Sequence, residues 1–454
     1  MSRDPLAGNT GGDMNPANLS TKRQWIAELA RKKPGAALYS LHHVIDLEWM
    51  QEAYALTRKD GATGIDGVTA TEYEANLEAN LSDLLERIKS SRYKAPPVRR
   101  TYIPKADGTQ RPLGIPTFEE KVAQRAIVMV LEAIYEQDFL PCSYGFRPGR
   151  LAHQALRELY SVITRQRQHW VLEVDVRKYF DSIPHSELRA ILDQRVTDGV
   201  IRRMIDKWLK AGVLEDGLLR LATAGTPQGG VVSPVLSNIY LHHVLDQWFE
   251  NEVKPRMAGS CTLVRFADDF VITFKNHHDA KRVLEVLGKR FARYGLTLHP
   301  DKTRLIDFRP ERKGGTHPDC TEPPFDFLGF THIWVKSQKG KNVVRQRTAK
   351  SRLARALVAI NDWCRTNRHQ PIPYQRDRLA AKLVGHYAYY GITGNSRQLH
   401  RYHRQVTRTW RKWLERRTSS KRLPWEKFRA LLTRHSLPRP TIMHRYAAVS
   451  ETLS

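Results

Sequence analysis

The run Arg265-Phe266-Ala267-Asp268-Asp269-Phe270-Val271-Ile272-Thr273-Phe274 sets two adjacent carboxylates between two apolar stretches, the pattern of a β-hairpin that turns at the acids. Asp is a favoured turn residue, so an isolated pair of this kind is usually solvated punctuation. A second apolar stretch changes the reading. Val-Leu-Glu-Val-Asp-Val at 171–176 carries Asp175, and two strands can then converge their carboxylates. Mg²⁺ prefers carboxylate oxygens, keeps some of its waters and is completed by substrate phosphates, so sparse protein ligands suffice. Two such ions about 4 Å apart would activate a primer 3′-hydroxyl and stabilise departing pyrophosphate, the two-metal arrangement for in-line phosphoryl transfer. Polymerase chemistry is therefore the first expectation.

Other segments must position these acids and present a substrate to them. Residues 21–90 look helical and amphipathic, broken by Lys59-Asp60-Gly61-Ala62-Thr63-Gly64-Ile65-Asp66-Gly67, a candidate binding loop. In 98–116, Asp107-Gly108 lies between alternating segments and predicts a hairpin, with Lys105 and Arg111 flanking the turn where both can meet one polyanion. Val122, Ala126, Val130 and Ile134 recur at helical spacing and predict a buried helix. Ser143-Tyr144-Gly145-Phe146-Arg147-Pro148-Gly149-Arg150 either packs locally or holds a backbone phosphate. Phe180, five residues past Asp175, is placed to floor a sugar pocket, where its ring would collide with a ribose 2′-hydroxyl and favour deoxynucleotides. At 225–240 a glycine-rich turn runs into an apolar helix, and backbone can approach a nucleotide there.

Composition agrees with a nucleic-acid partner. Against 47 Asp plus Glu stand 74 Lys plus Arg, a formal charge of +27, and such a surface attracts phosphate. Cys142, Cys261, Cys320 and Cys364 lie far apart, with no paired spacing of a zinc site or a disulfide framework, which points to a reducing setting. The first twenty residues have no apolar h-region and no stretch reaches membrane-span length, so the expectation is a cytoplasmic protein with no membrane partner.

Taken in order, KADGTQRPLGIP, SYGFRPGR, EVDVRKYFDSIPH, GTPQGGVVSPVLSNIYL, RFADDFVI, GLTLHPDKTRL and FDFLGF resemble the successive reverse transcriptase blocks of bacterial group II intron-encoded proteins. The usual Tyr before Ala-Asp-Asp is Phe266 here, which removes a hydroxyl but no metal ligand. The resemblance implies an α+β right-hand polymerase: a disordered 1–20, a helical extension over 21–95, fingers and palm over 96–335, a helical thumb or maturase domain over 336–435, and a tail over 436–454. It implies Asp175, Asp268 and Asp269 as palm acids holding two Mg²⁺ with the Val176 carbonyl assisting. It further implies Phe180 as steric gate, Lys105 and Arg111 as fingers residues on the incoming triphosphate, Gln228 beside nucleotide and template, and Lys302 after the palm hairpin. Phosphoryl transfer asks mainly for such positioning and charge.

Beyond Phe330 the set Leu353, Leu357, Ile360 and Cys364 begins a helical region. Tyr402, Val406, Trp410 and Trp413 mark one helix face, while Arg404, Arg408, Arg411 and Lys412 fall largely on others. Residues 401–434 hold twelve basic and two acidic residues, an excess that fits phosphate tracking. In the family this domain binds the intron RNA, and Leu383-Val384-Gly385-His386-Tyr387-Ala388-Tyr389-Tyr390-Gly391 resembles its recurrent helix block. His386 is expected to be packed core. With no cysteine after Cys364, no HNH endonuclease is expected, and a primer for copying into target DNA would be borrowed, for example from a replication fork. The expected partners are intron RNA, primed RNA template, dNTPs and target DNA. Two alternatives stand beside a working RNA-directed DNA polymerase: an RNA-binding maturase with a vestigial polymerase, and a domesticated reverse transcriptase in defence or repair.

Overall fold

The computed structural model describes residues 19–104, 110–215, 218–220, 224–225, 229–311, 315–317, 320–417 and 423–446. The turn at Asp107-Gly108, Lys105, Gln228 and the expected disordered start through residue 18 lie outside the described residues. Along the chain the strands are β1 Val98–Pro104, β2 Gln110–Ile115, β3 Trp170–Val174, β4 Val213–Glu215, β5 Leu218–Arg220, β6 Cys261–Phe266, β7 Asp269–Phe274, β8 Arg304–Asp307, β9 Phe325–Phe327, β10 Phe330–Lys336 and β11 Asn342–Thr348. They form three sheets, ordered β2-β1-β4-β5, β6-β7-β3-β8 and β11-β10-β9.

The middle sheet is antiparallel throughout and apolar on both faces, because successive side chains of a strand leave on opposite sides. Leu172, Val174, Phe270, Ile272 and Phe274 join one core with Ala280, Val283, Leu287 and Phe291 of the helix His277–Arg293. Val171, Val264, Val271 and Ile306 meet Ala155, Leu156 and Leu159 of the helix Ala152–Thr164 on the other face. Burying each such side chain contributes about 1.5–3 kcal/mol, so this sheet is the rigid floor of the molecule.

Among the described residues four α-helices precede β1, at Leu19–Lys32, Leu47–Ala55, Ala70–Glu74 and Leu77–Lys89. They pack on the helix Phe118–Tyr135, in which Val122, Ala126, Val130 and Ile134 are all buried as their spacing predicts. The glycine-bearing 59–67 segment is a loop that closes on the start of that helix. A Cβ on Gly64 would stand 2.5 Å from Thr117 Cα, and Arg99 and Lys121 donate to the Thr63 and Ala62 carbonyls at 2.7 Å each. Gly64 therefore serves close packing, while Gly67, at φ +71°, serves the turn.

The expected helical segment from 336 begins with a strand instead: β10 and β11 pair from Phe330↔Thr348 to Lys336↔Asn342, and helices start at Lys350. The alternation in Asn-Val-Val-Arg-Gln-Arg-Thr buries Val344 and Gln346 on one side and turns Arg345 and Arg347 to the other, a two-residue period that a helix cannot use. The helices Lys350–Thr366, Ile372–Tyr390, Ser396–Glu415 and Trp425–Arg434 then enclose a separate core of Leu353, Ile360, Cys364, Tyr402, Val406, Trp410 and Phe428. His386 is buried there and stacks on Tyr402 at 3.8 Å between ring centres, and burial lowers its pKa to about 4, so it is a neutral packing residue. The expected tail is docked as far as Tyr446: Met443 N–H donates to Gly391 O at 2.7 Å and Thr393 N–H to His444 O at 3.1 Å. Among the described residues no helix is long and apolar enough to cross a membrane.

Candidate active site

Register brings the acids together. The β3–β7 ladder ends with Val174 opposite Phe270, so Asp175, the next residue, and Asp269, the first residue of β7, stand at the same end of the ladder and line one cleft. Alternation puts Asp175 on the face of Val171 and Asp269 on the face of Val271, the side of the sheet that carries β9–β11. Asp268 sits in the turn between β6 and β7, where Ala267 adopts a left-handed φ of 59°. A Cβ on Gly145 would stand 2.3 Å from Ala267 N, so the glycine of the Ser143–Arg150 loop lets that loop close on the back of the turn.

The electrostatics are those of crowded like charges. Burial first, and then repulsion from Asp268 and Asp175, pushes the Asp269 carboxyl up to about 6, while Arg352 and Arg111 draw it back down. Asp268 is also raised, mainly by burial, with Asp175 adding repulsion and Arg111 opposing it. Asp269 is open to the cleft, so solvent and ions reach it although protein crowds it. Asp175 pairs with Lys302 at 3.2 Å, a partly exposed ion pair that supplies one countercharge.

All-oxygen donors in a negatively charged, partly desolvated pocket are what a hard divalent cation takes, so the residues present fit such an ion. The Val176 backbone is compatible with that set. His299 N–H donates to Asp175 O at 2.8 Å and Arg177 N–H to Thr297 O at 2.8 Å, which makes Val176 the non-hydrogen-bonded member of its bridge to Leu298. In that arrangement the residue's own N–H and C=O point away from the partner segment.

A cleft of about 400 Å³ opens over the pair, with Asp175, Asp269, Lys302, Arg304, Arg352 and Arg355 among its walls. Arg352 and Arg355 come from the helix Lys350–Thr366, and the sequence motifs did not single them out; basic residues at i and i+3 soon after FDFLGF were the available signal. Arg111 is exposed on β2, within electrostatic reach of both Asp268 and Asp269. Phe180 is half-buried in a short helical turn, edge-on to Tyr179 at 5.3 Å. Gly225, at φ +95°, lies alongside it: a Cβ there would come 3.1 Å from Phe180 O. Arg147 packs locally, buried and bonded to Glu136, Leu140 O and Ser143 O.

Beneath the turn lies a residue whose role the sequence did not reveal. Arg265, fully buried in β6, donates to both oxygens of buried Asp246, to Asn238 Oδ1 at 2.9 Å, to Ser143 Oγ at 2.7 Å and to Ala267 O at 3.0 Å. Asn238 in turn donates to Gly145 O at 2.6 Å. One guanidinium thereby fixes the backbone of the acid-bearing turn and the loop behind it.

A second basic site lies away from the acids. Arg345 and Arg347 of β11 and Arg397, Arg401, Arg404 and Arg408 of the helix Ser396–Glu415 line a groove of about 520 Å³. Among the described residues none of the six forms an ion pair with a carboxylate, and burial together with the charges of Arg345 and Arg397 lowers the Arg347 pKa. Of the four sequence candidates in this helix, Arg404 and Arg408 reach the groove. Arg411 instead bonds Leu423 O and Glu415, and Lys412 lies over Trp413 at 5.2 Å. The spacing 397, 401, 404, 408 marks one helical face and was readable in advance.

The acid cluster makes a pH dependence calculable. Divalent cation binding needs ionised carboxylates, and a proton competes at Asp269 below about 6. Extension at subsaturating Mg²⁺ is expected to hold between pH 8 and 7 and to fall towards tenfold per unit below about 6, with saturating Mg²⁺ shifting the fall to lower pH. A profile unmoved by Mg²⁺ would separate the fall from these acids.

The matching family model is described as reverse transcriptase (RNA-dependent DNA polymerase) and covers residues 103–332. Protein YkfC of Escherichia coli is 35% identical over 382 residues, spanning 75% of this chain and 96% of that protein. The group II intron-encoded protein LtrA of Lactococcus lactis is 40% identical over 193 residues, 42% of this chain and 32% of LtrA. A protein of the cob intron of Schizosaccharomyces pombe is 42% identical over 279 residues, 50% of this chain and 34% of that protein. The chain thus spans nearly all of YkfC and about a third of the two intron proteins. With its three acids on one antiparallel sheet, the chain belongs to the reverse transcriptase (RNA-dependent DNA polymerase) family, among the group II intron-encoded reverse transcriptases and maturases.

Proposed function

We propose that this chain copies a group II intron RNA into DNA and also binds that RNA to assist its splicing. The observation that carries the reading is the meeting of Asp175 and Asp269 in one cleft at the end of the β3–β7 ladder, with Asp268 in the adjoining turn. In this reading the three carboxylates and the Val176 carbonyl hold two Mg²⁺, which supply an activated 3′-oxygen nucleophile and charge neutralisation at the departing pyrophosphate. The protein's own part is placement. Arg111 and Lys105 would grip the triphosphate from the fingers, Gln228 would lie beside the nucleotide and template, and Phe180 would stand under the sugar against a 2′-hydroxyl. Lys302, already at Asp175, would neutralise or protonate the leaving group. Retrohoming into a target DNA is the use of this activity that the intron-encoded relatives suggest.

The arginine groove supports the RNA-binding half. Six cations held together with no carboxylate partner among the described residues are a standing repulsion that a polyphosphate relieves, and structured RNA is read mainly through its phosphates, shape and 2′-hydroxyls. Arg401→Gln, Arg404→Gln and Arg408→Gln together are expected to weaken binding of intron RNA and to flatten its salt dependence, by about 0.7–0.9 in log–log slope for each phosphate left without its arginine. Extension of a short primed template should persist.

The test of the whole reading runs two assays on the wild-type protein: dNTP incorporation on primed RNA with Mg²⁺, and splicing of a precursor RNA carrying a group II intron. Both activities support the reading. Splicing without cDNA would leave an RNA-binding maturase with a vestigial polymerase, and cDNA with indifference to the intron would favour a domesticated reverse transcriptase.

A further inference from the structure

At the far end of β3 from the acids, three side chains from distant parts of the sequence converge. His277 opens the helix His277–Arg293, and His317 and Cys320 belong to the connection that follows β8. Their ligating nitrogens and sulfur all lie within 4.8 Å of one another. The imidazole centres of His277 and His317 are 3.9 Å apart, and Trp170, the first residue of β3, sits against both at 4.7 and 5.8 Å. Asp175 follows the last residue of β3, so roughly five residues of strand, about 17 Å, separate this cluster from the catalytic acids.

We propose that His277, His317 and Cys320 form a binding site for a borderline-soft divalent cation, Zn²⁺ foremost. Two imidazole nitrogens and one thiolate are a donor set that selects zinc and discriminates against the hard Mg²⁺ that oxygen ligands take. A water completes the tetrahedron. The geometry is prepared on each side. Cys320 N–H donates to His317 O at 2.9 Å, which holds the backbones of these two ligands together. Asp307 Oδ2 accepts from His317 N–H at 3.2 Å, and Thr321 N–H donates to Leu305 O at 2.8 Å, so both ends of the connection are tied to the edge of the sheet. Arg309 does not burden the site with uncompensated charge, because it is paired with buried Asp307 at 2.7 Å. On binding, the Cys320 thiol releases its proton to solvent, a sulfur–zinc bond forms, and both histidines donate as neutral imidazoles. The ion would staple the connection after β8 to the start of the helix that backs the catalytic sheet. Cysteine spacing could not disclose such a site, since only one ligand is a cysteine and the third lies forty residues upstream of His317.

The test uses the full chain, stripped with chelator and titrated with Co²⁺ and Zn²⁺ in excess Mg²⁺. The expected result is one equivalent bound per chain, a thiolate-to-cobalt charge-transfer band, displacement of Co²⁺ by Zn²⁺, and a melting temperature raised by Zn²⁺. Cys320→Ser should lose the charge-transfer band, and His277→Gln and His317→Gln should bind at least about tenfold more weakly. Asp268→Asn, which alters only the oxygen site, should keep the band. Wild-type protein that gives no charge-transfer band at stoichiometric Co²⁺ would overturn the proposal, and so would a band that survives Cys320→Ser. Circular dichroism of each variant separates loss of a ligand from loss of fold, and the wild-type titration decides the question even if a variant does not fold.

Discussion

Asp268→Ala and Asp175→Asn are each expected to lower RNA-templated extension on the order of 10³-fold or more, equivalent to about 4 kcal/mol of transition-state stabilisation, with RNA affinity unchanged. Asp175 and Asp269 line the cleft with Asp268 in the adjoining turn, and of the other carboxylates in its walls Glu173 is paired with Arg304 and Asp326 accepts from the Thr331 hydroxyl. The same crowding predicts an opposite effect on stability. Because the Asp269 carboxyl titrates near 6 in the folded protein, the fold holds that proton more tightly than the unfolded chain does, and at pH 7 the ionised group opposes folding. Asp269→Asn should therefore abolish extension while raising the melting temperature in chelator at pH 7. The gain should shrink as pH falls from 6 towards 4, where the wild-type group regains its proton. A cluster that binds divalent cations would be kept despite that cost to stability. Primer extension and thermal unfolding on the same preparations check both halves. An Asp269→Asn protein less stable than wild type at pH 7 would mean that repulsion does not govern.

Arg265→Met should be the most damaging change outside the acids. It removes the donors to Asp246, Asn238, Ser143 and Ala267 O together and leaves buried Asp246 ionised with the more distant His242 Nδ1, at 3.8 Å, as its remaining described partner, a loss of about 3–5 kcal/mol. Burial alone would push the Asp246 carboxyl up, yet Arg265 holds it below the usual range, so the pair's contribution is complete above about pH 4 and is lost only as pH falls through the depressed value. Because the same guanidinium holds Ala267 O and, through Asn238, Gly145 O, extension should fall by more than the folded fraction does. Adding Asp246→Asn to Arg265→Met should restore much of the stability by removing the orphaned charge, but little of the extension, since the turn is still unheld. Urea unfolding with rates normalised to folded protein separates these outcomes; full recovery of extension in the double variant would show that Arg265 does not position the turn.

What the sequence by itself determined was whatever local pattern dictates. Alternation around Asp175 and around Asp268-Asp269 marked two strands, and 3.6-residue spacing marked the buried helix at Val122–Ile134 and the face of Tyr402, Val406, Trp410 and Trp413. The order of seven motif blocks identified the family. The basic excess of the 401–434 segment was legible too, but not which cations gather: Arg404 and Arg408 reach the groove while Arg411 turns to Glu415 and Leu423 O, because only the packing of β11 against that helix fixes which face is open. Tertiary structure also decided that Asp175 and Asp269 meet in one cleft, since register between strands so far apart in sequence depends on the whole sheet. It placed Arg265 under the turn, brought Arg352 and Arg355 to the cleft, and joined His277 to His317 and Cys320. Each of these is a meeting of residues far apart in sequence, held by the burial of apolar surface between them, and local periodicity carries no information about such meetings.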